Sequence, residues 1–182
     1  MQAAFYPLTE FVRLGERPTV GALMTLCEEN FRLFARLAPH LKEQQGIVVS
    51  RRSGQVDLYL NIVEQSRYTS LVRLTHWFSG PPQGWGGRPP LGYSGDPLGF
   101  GADPDARLRI YYDARQVEVL DLRQTALPMR TQYQSPALDA KWKANLFLGK
   151  WLAFCLQAGH RFGPGRHVLV PTATGDMIDA RT

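Results

Sequence analysis

Apolar residues between positions 20 and 38 recur every three or four places. Leu23, Leu26, Cys27, Phe31, Phe34 and Leu37 form one stripe, and Glu28, Glu29, Arg32 and Arg36 lie outside it. That period belongs to an amphipathic helix. Thr19 offers an N-cap oxygen at its start, and Pro39, which has no N–H to continue the ladder, predicts an end near Ala38.

Beyond Pro39 the period changes to two. Ile47 and Val49 begin a short strand, and Ser53-Gly54 supplies turn residues for a hairpin. Leu58, Leu60 and Ile62 share one face of a second strand. Gln65, Ser66 and Arg67 turn the chain, and Val72, Leu74, His76 and Phe78 align on a third. Connections this short require antiparallel neighbours, because parallel pairing needs a long crossover. From 80 to 106 the pattern stops: eight Gly and six Pro among 27 residues forbid regular structure, while Trp85, Leu91, Tyr93, Leu98 and Phe100 are interleaved. Such a loop either folds back on the core through its aromatics or acts as a flap that meets a ligand or partner. The Gly-Trp-Gly-Gly at 84–87 is no phosphate loop, since no Gly-Lys-Ser/Thr follows it.

Alternation resumes with Leu108, Ile110 and Tyr112, turns at Asp113 to Arg115, and returns through Val117 and Val119. Ser135 and Pro136 are cap and first-turn residues for a last helix. It runs through Leu138, Trp142, Leu146, Leu152, Cys155 and Leu156 and stops at Gly159. Its second half is apolar nearly all round, which predicts deep burial or contact on both sides. A short edge strand is predicted at 168–170. The architecture predicted is α+β: an antiparallel sheet of about five strands, ordered α-β-β-β-loop-β-β-α and flanked by a helix near each end. It is read as one domain over 1–170 with a flexible tail at 171–182.

Composition adds limits. The 44% hydrophobic and 20% charged fractions are those of a globular chain. No apolar run approaches the ~18 residues of a membrane span, and the N-terminal segment lacks a signal peptide's basic start and apolar core. No membrane partner and a cytoplasmic location are therefore expected. Cys27 and Cys155 are read as buried thiols, with a redox pair between the two helices as the alternative. The net charge is +5, and all basic residues but four lysines are arginines. Arginine suits bidentate contacts to phosphate or carboxylate, yet these residues are spread along the chain, so nucleic acid is only weakly indicated as a partner.

Four segments carry a resemblance. They are Leu26-Cys27-Glu28-Glu29-Asn30-Phe31 and Ile62-Val63-Glu64-Gln65-Ser66-Arg67-Tyr68-Thr69, then Arg109-Ile110-Tyr111-Tyr112-Asp113-Ala114 with Val117-Glu118-Val119, and Asn145 to Gly159. In this order and spacing the chain resembles the YqiB-like family, a bacterial domain of unknown function. The resemblance covers most of 22–160 and implies a family of small cytoplasmic proteins rather than an activity. It does not extend to the Gly/Pro loop or the C-terminal extension.

The candidate chemistry is polar and dispersed. Alternation places Glu64 on the face of Leu58, Leu60 and Ile62, where a carboxylate needs a partner or water. Arg67, three residues on, would supply a charge-assisted bond, and Tyr68 and Thr69 extend that corner. Two readings stand for Glu64: a clamp on the hairpin, or a ligand-facing acid–base or anion site. Glu28 and Asn30 point to different sides of the first helix, and Asn30, near the buried stripe, is expected to bond backbone or a buried side chain. Arg109, Tyr111 and Asp113 are read as a polar stripe opposite Leu108 and Ile110, either solvated or lining a cleft. His76 is read as a satisfied core or edge residue, and His40, His160 and His167 as helix-end or tail residues. No HExxH, paired-His or Cys/His spacing is present, so neither metal nor cofactor is expected. The leading functional reading is a non-enzymatic module that binds a protein or an anionic small molecule. A hydrolase of a phosphorylated small molecule or nucleotide, using Glu28, Glu64 or Asp113, is the alternative. RNA binding is the third.

Overall fold

The computed structural model describes residues 18–77, 102–124, 137–164, 169–171 and 177–179. Helix α1 spans Val20–Leu37, capped by Thr19, whose Oγ1 accepts from the Ala22 N–H at 3.1 Å. It ends at Ala38, whose N–H still reaches the Phe34 carbonyl before Pro39 interrupts the ladder. Its buried stripe is Leu26, Cys27, Asn30, Leu33, Phe34 and Leu37. This differs from the predicted stripe, in which Asn30 and Leu33 were absent: Leu23 and Phe31 are only half-buried. A neighbouring helix turns α1 toward the polar Asn30.

After a 3₁₀ turn at Leu41–Glu43, strands β1 (Gly46–Ser50), β2 (Asp57–Gln65), β3 (Thr69–Trp77), β4 (Ala102–Tyr111) and β5 (Gln116–Arg123) form one antiparallel sheet in sequential order. The α+β arrangement of the sequence is therefore the observed one. Ser53-Gly54 does make the first turn, with Gly54 at φ +74° and Gln55 N–H bonded to Arg52 O. That positive φ suits glycine. The loop between β4 and β5 instead places Arg115 at φ 53°. Strand β4 begins at Ala102, so 102–106, predicted as loop, belong to the strand, and Ala102, Asp105 and Ala106 pair with β3. Phe78, Ser135, Pro136 and the predicted loop from 80 to 101 lie outside the described residues.

Helix α2, Ala137–Gln157, ends as predicted at Gly159, φ +82°. Gly159 N–H bonds to Leu156 O and His160 N–H to Cys155 O, the paired bonds of a Schellman motif. Both helices cover the same sheet face. Their core side chains, among them Phe34, Leu37, Leu148 and Leu152, meet Val48, Leu60, Leu74, Leu108, Val119 and Leu122. In β1 the core-facing residues are Val48 and Ser50; Ile47 and Val49 face the other way, half-buried. The two helices run in the same sense, since Cys27 and Asn30 meet Asn145 and Leu37 O accepts from Phe162 N. The strand predicted at 168–170 is β6, Leu169–Pro171, which pairs antiparallel with β7, Met177–Asp179, in a two-stranded sheet of its own. Among the described residues no helix is long and apolar enough to cross a membrane.

Candidate functional site

Most of the residues singled out in the sequence gather at one end of the sheet, where the β2–β3 turn lies beside the β4–β5 turn. Tyr112 N–H donates to Tyr68 O at 2.9 Å, and the Ser70 and Tyr112 hydroxyls are 2.7 Å apart. A β-bulge shapes this end. Pairing shifts between Ile62 and Glu64, so Val63 has no opposite residue. One extra residue reverses the side-chain alternation. Glu64 is consequently not on the face of Leu58, Leu60 and Ile62, as the unbroken alternation predicted. It is exposed, and Gln65, also exposed, turns to the helix side and donates to Leu41 O at 2.8 Å. The Glu64–Arg67 clamp is not formed among the described residues. Arg67 instead lies over the Tyr68 ring, 5.2 Å from its centroid.

The bulge and turn leave two large apolar side chains open, Val63 at 48% and Tyr68 at 55% exposure. Thr69 acts as a turn hydroxyl, with Ser66 Oγ 3.0 Å from its Oγ1. Arg109 and Tyr111 lie on the sheet face away from the helices. Asp113 does not extend that stripe: β4 ends at Tyr111, and the Asp113 carboxylate accepts from Ala114 N–H within the turn. Arg109 is directly across from Leu71 on one side and Glu118 on the other. Glu118 is already occupied, accepting from Tyr111 OH at 3.2 Å and from Lys141 Nζ at 2.9 Å.

Glu28 stands apart from this group, on α1 next to a polar seam between the helices. Asn30, fully buried, donates from Nδ2 to Asn145 O at 3.0 Å and to Asn145 Oδ1 at 3.4 Å. Asn145 Nδ2 donates in turn to Lys141 O at 2.9 Å, and Cys27 Sγ donates to Asn145 Oδ1 at 3.7 Å. Burial, reinforced by the negative charge of Glu118, pushes the Cys27 thiol up to about 11. The seam links the sheet's Glu118 to both helices. Asn30→Ala should destabilise the fold by about 1–3 kcal/mol, the range for a buried polar partner left unmatched. A urea titration checks it, and a loss below ~0.5 kcal/mol would remove the seam's structural role.

The two cysteines do not pair. Cys27 is level with Asn145, and the ten residues from Asn145 to Cys155 correspond to roughly 15 Å along a helix. This overturns the redox alternative. Cys155 belongs to a second interior cluster. Its Sγ is 3.4 Å from His76 Nε2, and burial pushes its thiol up to about 12. His76 is 5% exposed, and burial, with a smaller contribution from His160, lowers it to about 4. His76 is thus the core residue the sequence suggested. His160 is the helix-end residue of the sequence reading rather than a tail residue: it is 1% exposed, lowered by the same desolvation. Its position follows from the Schellman turn at Gly159, which the glycine signals in the sequence. Among the described residues no three His, Cys, Asp or Glu side chains converge as a metal ion requires.

Comparison with known proteins agrees with this core. Over 146 residues the chain is 30% identical to "Uncharacterized protein YqiB" of Escherichia coli strain K12, spanning 78% of this chain and 91% of that one. The proteins of the same name from strains O6:H1 and O157:H7 match to the same extent. No solved structure matches. The family model described as "Protein of unknown function (DUF1249)" matches residues 33–161, which run from α1 through the whole sheet to the end of α2, and the chain belongs to that family.

Proposed function

We propose that this chain is a binding module that takes a protein partner at the open end of its sheet. The observation that carries the reading is the exposed Arg67–Tyr68 stack on the same hairpin as the exposed, bulged Val63. Aromatic and arginine side chains dominate binding hot spots, because each combines large apolar contact with directional polar bonding. The β2–β3 turn that carries Arg67 and Tyr68 is closed by hydrogen bonds between Ser66 and Thr69, which lowers the ordering entropy on association. Arg109 adds a cation on the neighbouring strand, so a partner carrying carboxylates beside apolar groups fits best. The hydrolase alternative is less well supported, since Glu64 and Asp113 sit exposed near the hairpin turns while Glu28 is on α1.

The test is site-specific photocross-linking in cells of the source organism. A benzophenone side chain at position 68 should give a discrete cross-linked protein, and one at position 24, equally open on α1, should not. Arg67→Glu should weaken that product by about 30-fold, the ~2 kcal/mol of a hot-spot residue. Equal products from positions 68 and 24 would overturn the proposal. So would a phosphate ester that raises the melting temperature only with a divalent metal and is then consumed.

A further inference from the structure

The residues that follow α2 form a clasp over the core. Arg161 N–H donates to Ser50 Oγ at 3.1 Å, Phe162 N–H to Leu37 O at 2.8 Å, and Gln44 Nε2 to Gly163 O at 2.7 Å. His160 Nδ1 lies 3.1 Å from the same Ser50 Oγ. One short segment thereby joins β1, α1 and the 3₁₀ turn. The His160 ring meets His76 edge-on, with centroids 5.8 Å apart, and Trp151 at 5.7 Å and Cys155 also lie against His76.

We propose that the buried His76–His160 pair makes this clasp acid-labile, so that protonation releases residues 160–163 from β1 and α1 while the five-stranded sheet stays folded. Among the described residues no carboxylate forms an ion pair with either ring. From α2 come Trp151 and the neutral thiol of Cys155; from β1 come the hydroxyl of Ser50 and a backbone hydrogen bond at Ser50, which favours a proton on His160 but is outweighed by burial. At the β1–β2 turn Arg52 repels a proton on His160, and Asp57 on β2, which attracts it, is held by Arg51 at 3.2 Å. Two imidazoles in contact cannot both carry charge without repelling each other. Release hydrates His160 at once, because its neighbours Arg161 and Gly163 are already exposed. His76, in a central strand, has no comparable exit.

The direction follows from the neutral folded state. Above the ordinary histidine value of 6.5 neither state binds a proton, and the full stability of the clasp is present. As pH falls below it the released state takes up a proton on His160 that the closed state, where burial lowers that ring, refuses, and stability is lost.

Hydrogen exchange on the full chain, corrected for intrinsic rates, tests this at pH 7 and pH 5. The Arg161 and Phe162 amides should lose protection at least tenfold at pH 5, while those of Leu60, Val72 and Leu74 keep theirs. His160→Asn, which retains a polar partner for Ser50, should abolish the difference. Loss of protection across the whole sheet, no change at 161–162, or an unchanged pH response in His160→Asn would each overturn the proposal. Should that variant not fold, the wild-type pattern alone decides, with His76→Gln as the second non-titrating variant.

Discussion

Asp105→Ala should cost about 3–5 kcal/mol of stability, the loss expected when one partner of a buried ion pair is removed. Asp105 is 5% exposed although it lies on the sheet face away from the helices. Its Oδ1 accepts from Arg73 Nε at 2.7 Å, its Oδ2 from the same guanidinium at 2.9 Å, and Arg123 approaches Oδ2 at 2.9 Å from β5. A single carboxylate thus ties β3, β4 and β5. The Arg73 side chain is itself only 13% exposed, so without the carboxylate its charge stays largely desolvated and loses its bidentate acceptor. Replacing both by apolar residues, Arg73→Met with Asp105→Leu, should recover much of the loss, because no desolvated charge is then left behind. Urea midpoints at low and high salt check both parts. A buried pair is screened little, so the Asp105→Ala loss should persist at 1 M salt. A loss under ~1 kcal/mol, or one that salt erases, would show a solvated surface pair instead.

The second large effect concerns the clasp. Phe162→Ala should destabilise by about 3–5 kcal/mol, the range for truncating a buried phenylalanine. Phe162 is 1% exposed and joins the main core cluster. In a domain of this size each kcal/mol lowers the melting temperature by roughly 2–4 °C, so the shift is easily measured. Phe154→Ala provides the comparison within the same region, since that ring is 55% exposed. A surface truncation should stay within about 0.5 kcal/mol. Equal effects of the two would mean that Phe162 lies outside the cooperative core. The prediction is independent of protonation and holds at pH 7, so it separates the packing of the clasp from its acid sensitivity.

The sequence alone determined the elements. Thr19 and Pro39 bounded the first helix, Ser53-Gly54 placed a turn, the period-two runs placed strands and Gly159 ended the last helix. These signals are local, because capping, turn geometry and periodicity act within a few residues. Most of the candidate site was legible for the same reason: Arg67, Tyr68, Arg109, Tyr111 and Asp113 sit in or next to turns, and two antiparallel hairpins in sequential order bring their turns to one end.

Tertiary structure decided what periodicity could not. The bulge at Val63 moved Glu64 out of the core face, and nothing in Ile62-Val63-Glu64 announces it, because the extra residue is set by pairing with β3. The buried roles of Asn30 and His160 depend on partners 115 and 110 residues away in sequence, Asn145 and Ser50. Asp105 fell within the composition-defined loop, yet it anchors β4 between two arginines from other strands. A polar residue becomes buried only when the rest of the chain delivers its partner, and that delivery is a property of the assembled sheet and helices.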